Sequence, residues 1–196
     1  MAIHFREGLK EQWQRVRAGL GNRPTIDGMI VMYRAELHEL HNAEQQLCAL
    51  ADEVWVSVRN GSLAERLSEY AATLRSREAE LQTVLTAVGG EPRDRTDEVM
   101  RALVEKASRM AEQSSENVRD AALVASLQRI IHYMIAEYGT IASHAKALGR
   151  MDEAAHFAEH AHRDKEVDRE LSELAKSTLN PEATRAAESS DKTRGH

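Results

Sequence analysis

Four side chains capable of chemistry stand where the surrounding pattern calls for hydrocarbon: Glu44, Arg77, His160 and Asp164. Glu44 takes the middle place in a run whose other members are Ile26, Ile30, Tyr33, Leu37, Leu40, Leu47, Ala51 and Val54. A recurrence every three or four residues puts all of them on one helical stripe. A carboxylate on such a stripe is costly to bury unless it is paired, protonated or bound to a metal. Arg77 interrupts a second stripe made of Leu63, Leu67, Tyr70, Leu74, Leu81, Val84 and Val88. His160 and Asp164 sit on a third with Phe157, Val167, Leu171 and Leu174.

Two chemistries fit these residue types. Glu44, His160 and Asp164 could together hold a metal ion, iron or manganese. Alternatively Arg77, whose guanidinium never loses its charge and pairs bidentately with carboxylates, could neutralise Glu44 with Asp164 alongside, and no cofactor would then be needed. The second is the main expectation. A bundle di-iron centre takes a glutamate from each of two helices and Glu-x-x-His from each of the other two. The third long helix offers Ile131 and Met134 to the centre, and the second offers a cation. Glu159 and His162 have Glu-x-x-His spacing, but such pairs arise by chance in so charged a helix, and His156, His160 and His162 read as rim histidines. No catalytic residues are identified.

The elements that must position this layer are helices. Residues 3 to 20 form a short amphipathic helix with Phe5, Leu9, Trp13, Val16 and Leu20 on one side, closed by GlyAsnArgPro. Helix one spans about 26 to 59. AsnGly makes the turn, Ser62 and Glu65 read as a capping box, and helix two runs to Val88 before GlyGly. A shorter helix over 97 to 113 turns Val99, Leu103 and Met110 inward. Helix three covers 119 to 148 with Val124, Leu127, Ile131, Met134, Tyr138, Ile141, Ala145 and Leu148 on its stripe. Helix four covers 151 to 177, and AsnPro at 180 and 181 closes it. Two tightly joined helices, a long connection and two more helices give an all-α, ferritin-like four-helix bundle with one crossover that carries the short extra helix. The organisation is then an N-terminal helix and linker over 1–24, a bundle over 25–178 and a polar, disordered tail over 179–196.

Composition narrows the function classes. The 196 residues carry 26 Lys and Arg against 32 Asp and Glu, a net charge of −6, so no basic field calls for nucleic acid. The single cysteine, Cys48, excludes an internal disulfide and reads as a small packed hydrophobe. No apolar run approaches the ~20 residues of a membrane span. The opening MAIHFREGLKEQW lacks the apolar stretch of a signal peptide, and the expected location is cytoplasmic. The Phe5–Trp13 face and the side of helix one bearing Trp55 are candidate dimer contacts, with packing of Trp55 under the N-terminal helix the slightly favoured alternative for that residue.

Three segments also carry a family resemblance. AELHELHNAEQQLCALADEV, HYMIAEYGTIASHAKALGRMDEAAHF and DKEVDRELSELA resemble the first, third and fourth helices of the YciF/YciE-like family of ferritin-like bacterial stress proteins, over about residues 26 to 176. The resemblance implies a ferritin-like bundle, a homodimer, a link to general stress responses and a carboxylate-rich centre able to bind a metal pair; it identifies no protein partner. It matches Glu44 to the family's first-helix glutamate and Asp164 to a glutamate of the fourth. The family's acidic and histidine-type positions on helix two fall at Thr73 and Arg77. Its helix-three glutamates fall at Ile131 and Met134, while His132 and Tyr133 are kept.

Overall fold

A computed structural model describes residues 26–89 and 95–186. The N-terminal amphipathic helix expected over residues 3 to 20 lies outside them. Five helices follow in order: α1 Met29–Val54, α2 Gly61–Val88, α3 Glu98–Gln113, α4 Glu116–Ala147 and α5 Met151–Leu174. A single 3-10 turn, Trp55–Ser57, ends α1, and a π-helical turn, Ala175–Leu179, follows α5. The described residues contain no strand.

The apolar stripes decide the packing. Tyr33, Leu37, Leu40 and Leu47 of α1, Leu63 and Leu74 of α2, Ile131, Met134, Tyr138 and Ile141 of α4, and Leu171 of α5 are all fully enclosed. Helices α1 and α2 pack on each other, as do α4 and α5, and the two hairpins meet through α1 with α4 and α2 with α5. Each buried leucine side chain contributes on the order of 1.5–3 kcal/mol relative to exposure, and that burial drives the assembly.

Helix α3 spans the crossover and rests on α1 and α4. Its start is fixed by Asp97, whose carboxylate accepts from the Met100 amide at 2.8 Å and from the Tyr133 hydroxyl at 2.7 Å. The Asp97 amide donates to Asn42 Oδ1 at 2.9 Å, and Gln46 donates to the Asp97 carbonyl. One cap residue is thus tied to α1 and α4 together. This sets the helix phase, and it differs from the sequence expectation. Val99 and Met110 are 54% and 37% exposed, while Met100, Ala107 and Ala111 are buried.

Three boundaries also move. The cap of α2 is Asn60, which accepts from the Leu63 amide at 3.1 Å, rather than a Ser62–Glu65 box. Helix two ends as read from the sequence, at Gly89 in a left-handed conformation (φ 71°) that suits glycine. The chain does not stop at Asn180–Pro181. It stays helical through residue 186, because the widened π turn, with the Asn180 amide donating to the Ala175 carbonyl, makes room for the proline ring. Leu179, in that turn, is buried, so the first part of the expected disordered tail packs on the bundle.

Trp55 is buried as well, stacked on Tyr70 with ring centroids 6.0 Å apart. It is therefore occupied within the chain and does not offer the exposed side expected of a dimer contact. Cys48 is half-buried, and its thiol is pushed up to about 11 by burial and by the neighbouring Glu44, which keeps it protonated and inert.

Candidate functional site: the central polar layer

All four residues singled out by their spacing are buried: Glu44 and Asp164 at 0% exposure, Arg77 at 1% and His160 at 5%. Each is carried to the centre by the stripe of its own helix. Arg77 is the organiser. Its Nη1 donates to Asp164 Oδ1 at 2.7 Å and lies 3.9 Å from Glu44 Oε1. Its Nη2 donates to the His160 carbonyl at 3.3 Å, and the guanidinium sits over the Tyr138 ring, 5.2 Å from the centroid. The closer partner of Arg77 is therefore Asp164, not Glu44 as the sequence reading put first.

Glu44 is held instead by a tyrosine. The Tyr138 hydroxyl donates to Glu44 Oε1, and Tyr70 donates to Asp164 Oδ1 at 3.2 Å. Neither tyrosine was assigned to the site from sequence. Their signal was present: Tyr138 stands one heptad beyond Ile131 and Tyr70 one heptad before Arg77, each carrying a hydroxyl into an apolar stripe. On a stripe, tyrosine reads as hydrophobe, and its polar end is easily overlooked.

Burial sets the protonation of the layer. Desolvation raises the Glu44 carboxyl to about 8, against the opposing pull of Arg77 and of the Tyr138 hydrogen bond. Desolvation also raises Asp164, which Arg77 counters through charge and hydrogen bond. Arg77 itself, disfavoured by burial, is held above its ordinary value by Asp164 and the surrounding tyrosines and Glu44. One guanidinium balances one carboxylate. Asp164, the nearer, takes the negative charge, and Glu44 keeps its proton at neutral pH. Glu44 Oε2, Arg77 Nε and Asp164 Oδ2 have no hydrogen-bond partner within the protein. Removing the Tyr138 hydroxyl should add a further unsatisfied atom: Tyr138→Phe is expected to lower unfolding free energy by about 1–3 kcal/mol, read by urea denaturation, with the fold unchanged by circular dichroism.

His160 does not join the carboxylates. Its Nε2 lies 3.1 Å from Glu80 Oε2, and His156 Nε2 lies 2.6 Å from the same oxygen. Among the described residues, it is Glu80, His156 and His160 whose ligand atoms converge within 4.8 Å of one another. The trio read from sequence as a metal set, Glu44, His160 and Asp164, is split between two neighbouring clusters. Glu80 was not singled out from sequence, since one acidic residue among many on a charged helix gives no signal. Burial, reinforced by Arg77 and His156, lowers His160 to about 4 and keeps its imidazole neutral.

The other positions matched by resemblance are placed away from this chemistry. Thr73 is half-exposed and donates to the Glu69 carbonyl of its own helix. Ile131 and Met134 are enclosed hydrocarbon. His132 is exposed beside Asp168 at 3.3 Å, and Tyr133 serves the Asp97 cap.

Paired helical hairpins, a crossover helix and a polar layer at mid-bundle define a ferritin-like helical bundle. A family model, "Domain of unknown function (DUF892)", matches residues 30–184. The chain belongs to that family. Protein YciF of Escherichia coli (strain K12) is 29% identical over 171 residues, covering 85% of this chain and 99% of that protein. The crystal structure of the E. coli stress protein YciF superposes with a TM-score of 0.74 at 26% identity, covering 79% of this chain and 99% of the other. YcfI from Rhodopseudomonas palustris, described as a candidate structural protein, gives a TM-score of 0.70 at 26% identity over 75% and 94%. No described helix is long and apolar enough to cross a membrane.

Proposed function

We propose that this chain is a stress-associated ferritin-like protein whose metal-pair centre has been replaced by a guanidinium–carboxylate cluster. It acts in the cytoplasm as a homodimeric scaffold or binding protein, without redox catalysis. One observation carries the reading: Arg77 Nη1 stands 2.7 Å from Asp164 and 3.9 Å from Glu44, against the two carboxylates that a central metal would need as ligands. A dication there would meet a fixed, desolvated positive charge. The donor count is also short, since Ile131 and Met134 offer no ligand atom and Thr73 bonds its own helix. The residues therefore do not fit a dinuclear centre. The relatives, a stress protein and a candidate structural protein, support a role exercised through surfaces.

Elemental analysis of tag-free protein tests this. The expected iron and manganese content is far below one ion per chain and is unaffected by Glu44→Ala. Stoichiometric iron or manganese that disappears with Glu44→Ala overturns it. Light scattering on the same sample checks for the dimer.

A further inference from the structure

Between α2 and α5, just outside the central layer, two imidazoles and a carboxylate point at one spot. We propose that Glu80, His156 and His160 form a mononuclear site for a transition-metal dication of the zinc class, with a water completing the coordination. The site is separate from the central cluster and does not depend on the function proposed above.

The geometry is that of a chelate. His156 and His160 lie one helical turn apart on α5, so their side chains project from the same face. Their ring centroids are 4.5 Å apart. From the facing helix, Glu80 Oε2 reaches both Nε2 atoms, at 2.6 and 3.1 Å. Two histidines and one carboxylate with an open fourth position form a recurrent zinc donor set. Ligands of a tetrahedral zinc at about 2.0–2.1 Å lie roughly 3.3 Å from one another. The His156–Glu80 gap of 2.6 Å thus needs to open by about 0.7 Å and the His160–Glu80 gap of 3.1 Å by about 0.2 Å. His156 and Glu80, with side chains 46% and 38% exposed, have the freedom to make that adjustment.

The surroundings hold the donors in place. Ser76 donates to Glu80 Oε1 at 3.1 Å, which fixes the carboxylate and turns Oε2 toward the histidines. Such an outer hydrogen bond is what orients ligating carboxylates. The His160 ring is braced edge-on by Tyr138, with centroids 5.1 Å apart. In the metal-free protein the Glu80 carboxylate holds the ring proton on Nε2; the unpartnered Nδ1 is where that proton goes when Nε2 gives its lone pair to the metal. Arg77, whose charge is felt at His160, points its Nη1 away to Asp164 at 2.7 Å. Without metal, the same three groups form a hydrogen-bonded cluster in which one carboxylate oxygen serves both imidazoles.

Zinc chloride titrated calorimetrically into chelator-stripped, tag-free, full-length protein should bind with one ion per chain. Cobalt substitution should give the intense visible bands of a four-coordinate ion. His156→Ala, a half-exposed change that leaves the core alone, should weaken binding by about 100-fold or more, and Glu80→Gln should do likewise. Ser76→Ala should weaken it by about tenfold. His162→Ala, an exposed histidine on the same helix, should leave it unchanged, as should Glu44→Ala if that variant folds. Absence of saturable binding overturns the proposal, and so does binding that survives both His156→Ala and Glu80→Gln. Binding lost with Glu44→Ala in a folded protein but kept in His156→Ala would assign the metal to the central layer. That result would overturn this site and the metal-free reading together, whereas failure of the zinc site alone leaves that reading intact.

Discussion

Arg77→Ala is expected to remove about 3–5 kcal/mol of unfolding free energy. The loss does not come from a strong ion pair. Burying a guanidinium and a carboxylate costs so much solvation that the pair itself need add little. The damage comes from what stays behind. Asp164, fully buried, loses the Arg77 donor at 2.7 Å and keeps the Tyr70 hydroxyl at 3.2 Å. Glu44 loses the guanidinium that stands 3.9 Å from it. Arg77→Ala also leaves a cavity where the largest fully buried side chain among the described residues stood. Urea denaturation of wild type and variant measures the difference. Arg77→Met separates the two causes, because it fills most of the volume without the charge. A loss that persists in Arg77→Met is electrostatic. A melting temperature unchanged in Arg77→Ala would mean that the guanidinium is solvated. The triple variant Glu44→Leu, Arg77→Met, Asp164→Leu should recover most of the stability, since replacing a whole buried charge cluster by hydrocarbon is often neutral or favourable.

The second large effect is a dependence of stability on pH that belongs to Glu44. Folded, its carboxyl is raised from 4.5 to about 8. Between those values the folded state binds a proton that the unfolded state releases. Its contribution is therefore complete below about pH 4.5 and is lost as pH rises through 8. His160 works in the opposite sense. Its value falls from 6.5 to about 4, so its contribution is present above 6.5 and is lost on acidification through 4. Glu137, raised from 4.5 to about 7 by burial and the nearby Asp97, acts in the same sense as Glu44, so below 6.5 His160 offsets only one of the two carboxyls. Above about 7, where Glu137 has also titrated, the Glu44 slope is the one that continues, at most about 1.4 kcal/mol per pH unit, or about 1.4 kcal/mol between pH 7 and 8. Glu44→Gln, which keeps an acceptor for Tyr138 and cannot ionise, should remove that slope and should be more stable than wild type at pH 8.5. Equal slopes in the two proteins would show that Glu44 is already ionised at neutral pH, with Arg77 shared between both carboxylates.

Much of this layer was legible in the sequence. Glu44, Arg77, His160 and Asp164 each break an apolar stripe, and each is buried where the stripe put it. Periodicity alone places a residue on a face, and a face of a long helix has nowhere to go but the core. The same argument gave the four long helices and the crossover. It failed on α3, where two apolar phases compete in sixteen residues and the choice falls to Asp97, held from α1 and α4. It failed again at Asn180–Pro181, where a π turn absorbs a residue that a regular helix would reject. Both failures have one origin: the deciding contact comes from elsewhere in the chain, and local propensity carries no trace of it.

Pairing within the layer follows the same division. The sequence supplied one guanidinium, two carboxylates and a histidine at similar depth, and that charge count already disfavoured a metal pair. Which atoms meet depends on ångström offsets between helices that no spacing rule encodes. Those offsets set Arg77 on Asp164 rather than on Glu44, gave Glu44 to Tyr138, and drew His160 outward to Glu80 and His156. The sequence by itself determined that a charged layer lies at the middle of a helical bundle, because burial follows from periodicity. Only the tertiary structure decided how that layer divides into a closed guanidinium cluster and a half-exposed histidine–carboxylate site, because distance between helices, not position along them, selects a partner.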